Sequence, residues 1–558
     1  MVETRIFSRS DIEALIAAGD LIIIANQDVL RLNAWQHRHP GGKLVIHHMV
    51  GRDATTELSV FHTVEVLNTM RRYRIGKIEG PWTNLTPPIQ DDMFAKTEYK
   101  QQQTVETIKL VKSAEQAEKA LELGGECNTT SCEKSEKSCP LSKAGRSDAE
   151  KKGSESTLNS TKTTSTNAYT TKAIKDELDA SIAKYPSLDD KTQREIGLRF
   201  QELHQRVRDE GFYTCHATEY AKELARYSLL FGVFIFCLRS GWYTVSACAL
   251  GLFWHQIMFT AHDAGHLGIT HNFVIDTLIG IFIGNFCCGL SIGWWKSSHN
   301  VHHLVTNDPV HDPDIQNVPL FATSPVFFTS IRSTYYDGFC FVWDKAADIA
   351  VKYQKLTYYP VMAVARFNLY FLSWAHLCST RSASFGNATW TRPTEIVAIV
   401  SYIYLYFYVL LYRNIPTWQA RAVFLLVSHL ITMPLHVQIT LSHWGTSTDD
   451  LGASESFAQR QLRTTMDVAC PAWLDWVHGG LQFQAIHHLF PRVPRHNLRR
   501  LQSLVKDFCA ETGIEYLSLG FVDANKGVLS RLQQVADQAK LMAACQAHMA
   551  ATGESGLH

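Results

Sequence analysis

The chain has 558 residues, a formal net charge of zero at pH 7 and 46% hydrophobic residues. This length predicts two or more domains, and the balanced charge without a basic block argues against a nucleic-acid partner. The average hydropathy hides unlike parts, because residues 95–210 are polar whereas 227–293 and 395–441 are dense in aliphatic and aromatic side chains. The chain is therefore expected to be a membrane protein with a polar front half.

The first motif lies in a compact N-terminal segment, residues 1–82. The letters HPGG place His39 at a sharp turn, because proline cannot continue a helix and glycine lets the backbone approach a flat ligand. GRDAT then opens a helix, and FHT places His62 at the end of one, 23 residues after His39. Two histidines at the edge of a small apolar pocket suit bis-histidine ligation of haem iron.

These motifs resemble those of the cytochrome b5 domain over about residues 5–80. The resemblance implies an α+β fold that binds haem b, with His39 and His62 as the axial ligands of the iron. The remaining histidines of this segment have no role in the family motif and are expected at the surface. They are His37, His47 and His48.

The next segments differ in composition. Residues 83–175 are rich in Lys, Glu, Ser, Thr and Asn, which predicts a disordered linker. Residues 176–211 predict one amphipathic helix at the membrane surface. The C-terminal residues 521–558 predict a helical tail.

The apolar runs predict about four transmembrane helices. Residues 229–238 and 242–261 predict a helical hairpin, and residues 395–412 and 418–441 predict a second one. Residues 273–295 are apolar but rich in glycine, which favours a re-entrant or buried segment. The N-terminus begins with charges rather than a signal peptide, so both ends are expected in the cytosol.

Three histidine clusters follow apolar runs. Their spacing, at i and i+4 in the first cluster and at i, i+3 and i+4 in the other two, places the side chains of each cluster on one face of a helix. Neutral imidazole suits divalent iron and similar metals, and polar clusters beside a membrane are usually functional. The clusters are His262 and His266, then His299, His302 and His303, and finally Gln484, His487 and His488.

The clusters resemble the three histidine boxes of the integral-membrane fatty acyl desaturase and hydroxylase superfamily, over about residues 220–515. The resemblance implies two iron ions that activate O2, held by the seven box histidines and by His443 in LSHWG. His311 is expected behind the ligands, where Asp312 and Asp314 orient imidazoles. His436 is a weaker candidate, and His255 is expected to serve packing.

The third box begins with Gln484 where the wider superfamily has histidine. This feature, together with a fused haem domain, resembles the front-end desaturases. The segment CPAWLDWVHGGLQFQAIHHLFPRVPRHNLR and the long linker are similar to the fungal sphingolipid Δ8 desaturases. Gln484 and His443 are the candidate catalytic residues. The amide either leaves an iron position open or hydrogen-bonds to oxygen, water or a neighbouring ligand.

The resemblance implies O2-dependent desaturation at C8–C9 of the long-chain base of ceramide. Electrons would pass from NADH through NADH-cytochrome b5 reductase and the fused haem domain to the iron pair, at the endoplasmic reticulum membrane. Two alternatives remain. One is a front-end fatty acyl Δ5 or Δ6 desaturase, or a hydroxylase, on the same scaffold. The other is a non-catalytic haem-bearing membrane receptor or electron donor.

The predicted architecture is an α+β cytochrome b5-like domain followed by an all-α polytopic membrane domain with a cytosolic histidine-box cap. The predicted boundaries are 1–82 for the haem domain, 83–175 for the linker, 176–520 for the membrane desaturase domain and 521–558 for the tail.

Overall fold

The computed structural model describes residues 5–90, 170–383 and 388–552, so most of the predicted linker lies outside the described residues. The N-terminal part contains a small sheet of four strands, Ile6–Phe7 (β1), Ile22–Ala25 (β2), Asp28–Arg31 (β3) and Arg74–Ile78 (β4), in the strand order β1-β4-β3-β2. Strand β1 is parallel to β4, and the other neighbours are antiparallel. The helices of this part are Arg9–Ala17, Leu44–His47, Thr55–Phe61 and Val64–Met70, with single turns at Arg71–Tyr73 and Pro88–Gln90.

Strand β2 separates two small hydrophobic cores of this domain. Because strand side chains alternate between faces, Ile22 and Ile24 pack in one core with Phe7. Ile23 faces the other core, which also contains Val301 of the membrane domain. The second core is therefore shared between the two parts of the chain.

The first predicted hairpin is present. Helix Ala217–Arg239 packs against Tyr243–Gly265, which we call the first-box helix. The turn between them uses Gly241 with a φ of 77°, a conformation that glycine adopts without strain.

Within the described chain, two helices are long and apolar enough to cross a membrane, Thr391–Arg413 and Trp418–Leu441. The count is three if the bent pair Phe273–Cys287 and Ile292–Leu304, which turns by 117°, forms one span. A straight span is excluded for that segment, whereas a broken span and a re-entrant loop both have this geometry. Four spans therefore remain a prediction.

One long helix was not predicted. Gln354–Cys378 is 25 residues long and contains Pro360. Its buried Arg366 donates to the carbonyl of Cys288 at 2.7 Å, which ties the helix to the bend after Phe273–Cys287.

The predicted helix over 176–211 is instead two helices, 170–184 and Asp190–Asp209. Pro186 interrupts the first, and the Asp189 side chain accepts hydrogen bonds from two amides and starts the second. The apolar face of the second helix is covered by protein rather than lipid, since Phe200 is fully buried and stacks on Phe490 at 5.3 Å. The prediction of one surface helix was wrong for this reason.

The C-terminal helix Phe521–Thr552 belongs to a core. Val528, Leu532 and Val535 are fully buried in a cluster with Tyr358. The remaining described helices and turns are Ile292–Leu304, Lys345–Ala350, Phe457–Thr464, Asp475–His478, Gln484–Leu489 and Leu498–Thr512, with single turns at Pro325–Phe328, Val351–Tyr353, Thr380–Ala383, Ala472–Leu474, Leu481–Phe483 and Arg495–Asn497, and strand pairs Ile331–Arg332 with Cys340–Phe341 and Asp467–Ala469 with Ser518–Gly520.

Candidate metal and haem sites

His39 and His62 face each other with ring centroids 5.9 Å apart. The Nδ1 atom of His39 lies 3.0 Å from the carbonyl oxygen of Gly42, and Nδ1 of His62 lies 3.1 Å from that of Leu58. A carbonyl can only accept, so both Nδ1 atoms carry the proton and each Nε2 keeps its lone pair. The sequence therefore brings the predicted haem ligands together in the tautomer that ligation needs.

The surroundings of this pair also suit a haem. Burial lowers the pKa of His39 and lowers that of His62 to about 3, so both rings are neutral. A Cβ at Gly41 would lie 2.8 Å from Cε1 of His39. Gly41 therefore makes room for the His39 ring, while Gly42 has a φ of 86° that glycine adopts without strain, and these residues fit bis-histidine haem binding.

His48 is not at the surface, contrary to the sequence prediction. It is fully buried, and its ring lies 5.4 Å from that of His311 in the membrane domain. His311 was expected behind the metal ligands, but it contacts His48 and the hydroxyl of Thr334 instead, the latter at 3.1 Å. The predictions for His48 and His311 were wrong for the same reason, because the two residues lie where the haem domain docks on the membrane domain. His37 is exposed, as expected.

The first histidine group combines all three boxes. Its imidazole nitrogens come within 4.8 Å of one another. His266 lies centrally, with its ring 4.8 Å from that of His262, 5.0 Å from that of His299 and 4.7 Å from that of His487. The members are His262, His266, His299 and His487.

The second group consists of His302, His443 and His488, whose ligand atoms also lie within 4.8 Å of one another. His443 follows the helix Met433–Leu441 and lies 4.7 Å from His302 by ring centroids. The residue outside the three boxes that the sequence singled out thus joins box histidines.

His303 lies between the groups and belongs to neither of them. Its ring stacks on His488 at 4.1 Å and lies 4.7 Å from His266. Its Nε2 is 3.1 Å from Nε2 of His299. His303 therefore connects the two groups physically.

Every imidazole of the second group has an acceptor near Nδ1. His302 donates to Oδ2 of Asp312 at 2.8 Å, as predicted for that carboxylate. His488 donates to Oε1 of Gln461 at 2.9 Å. His443 is 3.4 Å from the carbonyl oxygen of Thr464. Such partners fix the tautomer and orientation of metal-ligating histidines, and they leave each Nε2 for a metal.

Gln461 was missed by sequence reasoning, because a glutamine on a polar helix carries no signal and its contact spans 27 residues. The predicted Asp314 lies 3.7 Å from Nδ1 of His299. His436 is outside both groups, with Nδ1 3.1 Å from the carbonyl oxygen of Met362. His255 packs against Phe259, as expected.

Several imidazole nitrogens of the two groups and of His303 are buried without a hydrogen-bond partner among the described residues. Buried polar atoms are rarely left unsatisfied, and an ion is one explanation. Burial lowers the pKa of His487 and His488 well below the usual range, so both are neutral, which is the form that binds metal. The donor set therefore fits two divalent metal ions. The unpartnered atoms are Nε2 of His266, His487 and His488 and Nδ1 of His303.

Gln484 is the first residue of the third-box helix, Gln484–Leu489, and is 5% exposed. The helix is anchored by Asp467, whose Oδ1 accepts the Ala485 amide at 2.9 Å. This hydrogen bond fixes the start of the helix, and His487 and His488 lie in its next turn.

Comparisons with known proteins agree with this geometry. Residues 240–520 match the fatty acid desaturase family, and residues 8–79 match the cytochrome b5-like heme/steroid binding domain. The chain is 46% identical to the Delta 8-(E)-sphingolipid desaturase of Emericella nidulans, over 99% of this chain and 98% of that protein. It is 44% identical to the protein of the same name from Komagataella phaffii, over 97% and 95% respectively. The protein of that name from Candida albicans is 41% identical, over 96% and 97%.

Proposed function

The chain belongs to the fatty acid desaturase family, and from this premise we propose that it introduces a double bond at C8–C9 of the long-chain base of sphingolipids. The substrate and position come from the names of relatives that align over nearly the whole chain. Those names also specify E geometry, so the proposed product is trans.

One observation carries the proposal: histidines of three separate boxes and His443 form two adjacent groups beside a haem-type histidine pair. We assign one iron to the first group and one to the second, with His303 between them. His39 and His62 are assigned as the axial ligands of haem b.

The bound groups would supply the redox chemistry. Haem held by His39 and His62 would supply single-electron transfer, and iron held by the two histidine groups would supply the oxygen activation that an unactivated C–H bond requires. The balance is two C–H hydrogens from the base, two electrons and two protons for each O2, which leaves as two waters. NADH and a membrane cytochrome b5 reductase are the proposed electron source, with the histidine boxes on the cytosolic side of the endoplasmic reticulum membrane.

The protein contributes orientation and exclusion of water. Asp312, Gln461 and the Thr464 carbonyl hold the second group in one tautomer. His302 and His488 are at most 2% exposed. A dry, fixed ligand set prevents reactive oxygen chemistry from being quenched by solvent.

Gln484 has a proposed role as a neutral group on the ligand face of the third-box helix. It either leaves one iron position open or hydrogen-bonds to oxygen, water or a neighbouring ligand. Gln484→His tests this role, and full activity of that variant would show that the amide is incidental.

The test of function is expression of the full chain in a host that lacks Δ8-unsaturated bases, followed by lipid analysis. A new trans Δ8 bond in ceramide bases is expected with the wild type and with His37→Ala, and no such product with His302→Ala. New fatty-acid unsaturation or a hydroxylated product would favour the alternatives on the same scaffold. A haem spectrum without any lipid product would favour an electron donor or receptor.

A further inference from the structure

The helix Ile292–Leu304, which we call the second-box helix, presents two different faces to two different partners. Successive helical residues are about 100° apart, so His299, His302 and His303 face the metal groups while Val301 and Leu304 face away. These two side chains are buried in a core of the haem domain. They pack there with Val45, Ile46 and Met49 of the haem domain.

The haem-ligand turn reaches the same helix. A Cβ at Gly41 would lie 3.4 Å from the side-chain nitrogen of Asn300. The turn that contains His39 therefore lies beside the side chain of Asn300, the residue that follows His299.

Phe61 connects the haem-ligand segment to the histidine groups through its side chain. It precedes the haem ligand His62 in the chain, and its ring meets that of His303 edge to face, with centroids 6.1 Å apart at 85°. His303 in turn contacts both histidine groups. On its other side Phe61 packs against Phe457 at 6.3 Å.

Polar contacts hold the helix that carries Phe61 in place. The hydroxyl of Ser59 lies 3.2 Å from Nδ1 of His204, and Arg208 donates to the Ser59 carbonyl at 3.0 Å. At the rim of the same interface, Thr83 donates to Asp190 at 2.8 Å.

We infer that Phe61 is a positioning and bridging residue that couples the haem to the metal groups, through its ring contact with His303. This inference rests on the proposed function. In each step one electron leaves the reduced haem iron, which becomes ferric, and one electron reduces the metal centre. Two such steps supply the electrons of one desaturation. The ring shortens the gap that the electron must cross, and the docked surface holds it there.

The test uses the full chain loaded with haem and iron. The haem is reduced without oxygen, the protein is mixed with oxygenated buffer containing ceramide, and haem reoxidation is followed by absorbance. Phe61→Leu should reoxidise severalfold more slowly than the wild type, with an unchanged haem spectrum and iron content. Phe61→Tyr keeps the ring and should retain the wild-type rate. Phe7→Leu makes the same change in the distal core of the haem domain and should also leave the rate unchanged.

A second measurement separates bridging from docking. The double variant Thr83→Cys, Asp190→Cys is treated with a short bismaleimide. A crosslinked peptide that joins positions 83 and 190, detected by mass spectrometry, reports the docked state. Equal crosslinking in the wild-type and Phe61→Leu backgrounds supports bridging, and a parallel loss of crosslinking and rate overturns it in favour of a docking role. If Phe61→Leu loses haem, Phe61→Met replaces it as the ringless variant.

The iron-stripped protein gives the background rate. If the wild type reoxidises its haem faster than this background and the ringless variant reoxidises as fast as the wild type, the role of Phe61 is overturned but the proposed electron route is not. A wild type no faster than background overturns the proposed electron route and the inference with it.

Discussion

Oδ2 of Asp312 accepts a hydrogen bond from Nδ1 of His302 at 2.8 Å, and both side chains are buried. Burial opposes a charged imidazole, but the carboxylates of Asp312 and Asp314 outweigh it and raise the pKa of His302 to about 9. The negative charge of these carboxylates also makes Nε2 of His302 a more basic metal ligand. Asp312 also accepts the Asn307 amide at 2.7 Å, so its own position is fixed.

Asp312→Asn should therefore weaken metal binding while leaving the ligands in place. Loss of a partner of this kind typically costs about 10- to 100-fold in metal affinity. Iron content after chelator competition measures the effect. Asp337→Asn makes the same change at an exposed ion pair with Arg381 and should leave iron content unchanged. Equal iron retention by both variants would contradict the assigned role.

Gln461 provides a second test at the other end of the group. It accepts from His488 at 2.9 Å and donates to the His303 carbonyl at 2.8 Å, so it fixes two box histidines. Gln461→Leu removes both the acceptor and the donor and should lower iron affinity by about 10-fold or more, whereas Gln461→Glu keeps the acceptor for His488, loses only the donor to the His303 carbonyl, and should lose less iron than the Leu variant. Iron per haem, measured on the same sample, reports both. If the Glu variant lost as much iron as the Leu variant, the hydrogen bond from His488 would not be the contact that supports iron binding.

The sequence predicted the histidine faces because i, i+3 and i+4 spacing is a local property of a helix. It did not predict how adjacent histidines of one box divide between the two histidine groups. His487 joins the first group and His488 the second, since adjacent helical residues point about 100° apart. The partners of the groups were predictable only where they lie close in the chain, as with Asp312, and not where they are distant, as with Gln461.

The docking of the haem domain was also beyond the sequence. His48 and His311 each resembled a surface or near-site residue, yet they contact each other although they lie 263 positions apart in the chain. The pocket motif itself was predictable, because the HPGG turn and its helix are local. The surface that covers it depends on tertiary packing.

The haem assignment predicts a spectroscopic result. His39→Ala should lose the bis-histidine haem absorbance and lipid product, because one axial ligand is removed, while iron in the histidine groups stays at the wild-type level. His37→Ala is a matched control two residues away at the surface and should retain both signals. Product formation by His39→Ala would show that the fused haem is not the obligatory donor.

Asp467 predicts a pH dependence of stability. Its side chain is fully buried and anchors the third-box helix through the Ala485 amide. Burial, partly offset by hydrogen bonds such as that from Tyr516, raises its pKa to about 6. Its usual value is about 3.9. Between these two pKa values the folded chain binds a proton at Asp467 that the unfolded chain has lost. The contribution of Asp467 to the free energy of unfolding is therefore fully present below about pH 4 and is lost as the pH rises through about 6.

Asp467→Asn removes this proton-linked difference. The free energy of unfolding of the wild type should therefore rise, relative to the variant, by on the order of 3 kcal/mol between pH 7 and pH 4. Denaturation of the detergent-solubilised protein at several pH values measures it. A wild-type advantage that does not change with pH would show that Asp467 does not titrate with unfolding.

Arg495 joins the third-box segment to the helices that precede it. Its guanidinium pairs with Glu223 and with Asp263, which lies between the first-box histidines, and all three side chains are less than a tenth exposed. Arg495→Met should lower the free energy of unfolding by about 3–5 kcal/mol, because two buried carboxylates lose their counter-charge.

Arg206→Met is the control: it removes an exposed ion pair with Glu210 and should change the free energy of unfolding little. Thermal unfolding compares the variants, and adding Glu223→Gln with Asp263→Asn to Arg495→Met should recover stability. If Arg495→Met were no less stable than Arg206→Met, the buried pairs would not hold the boxes together.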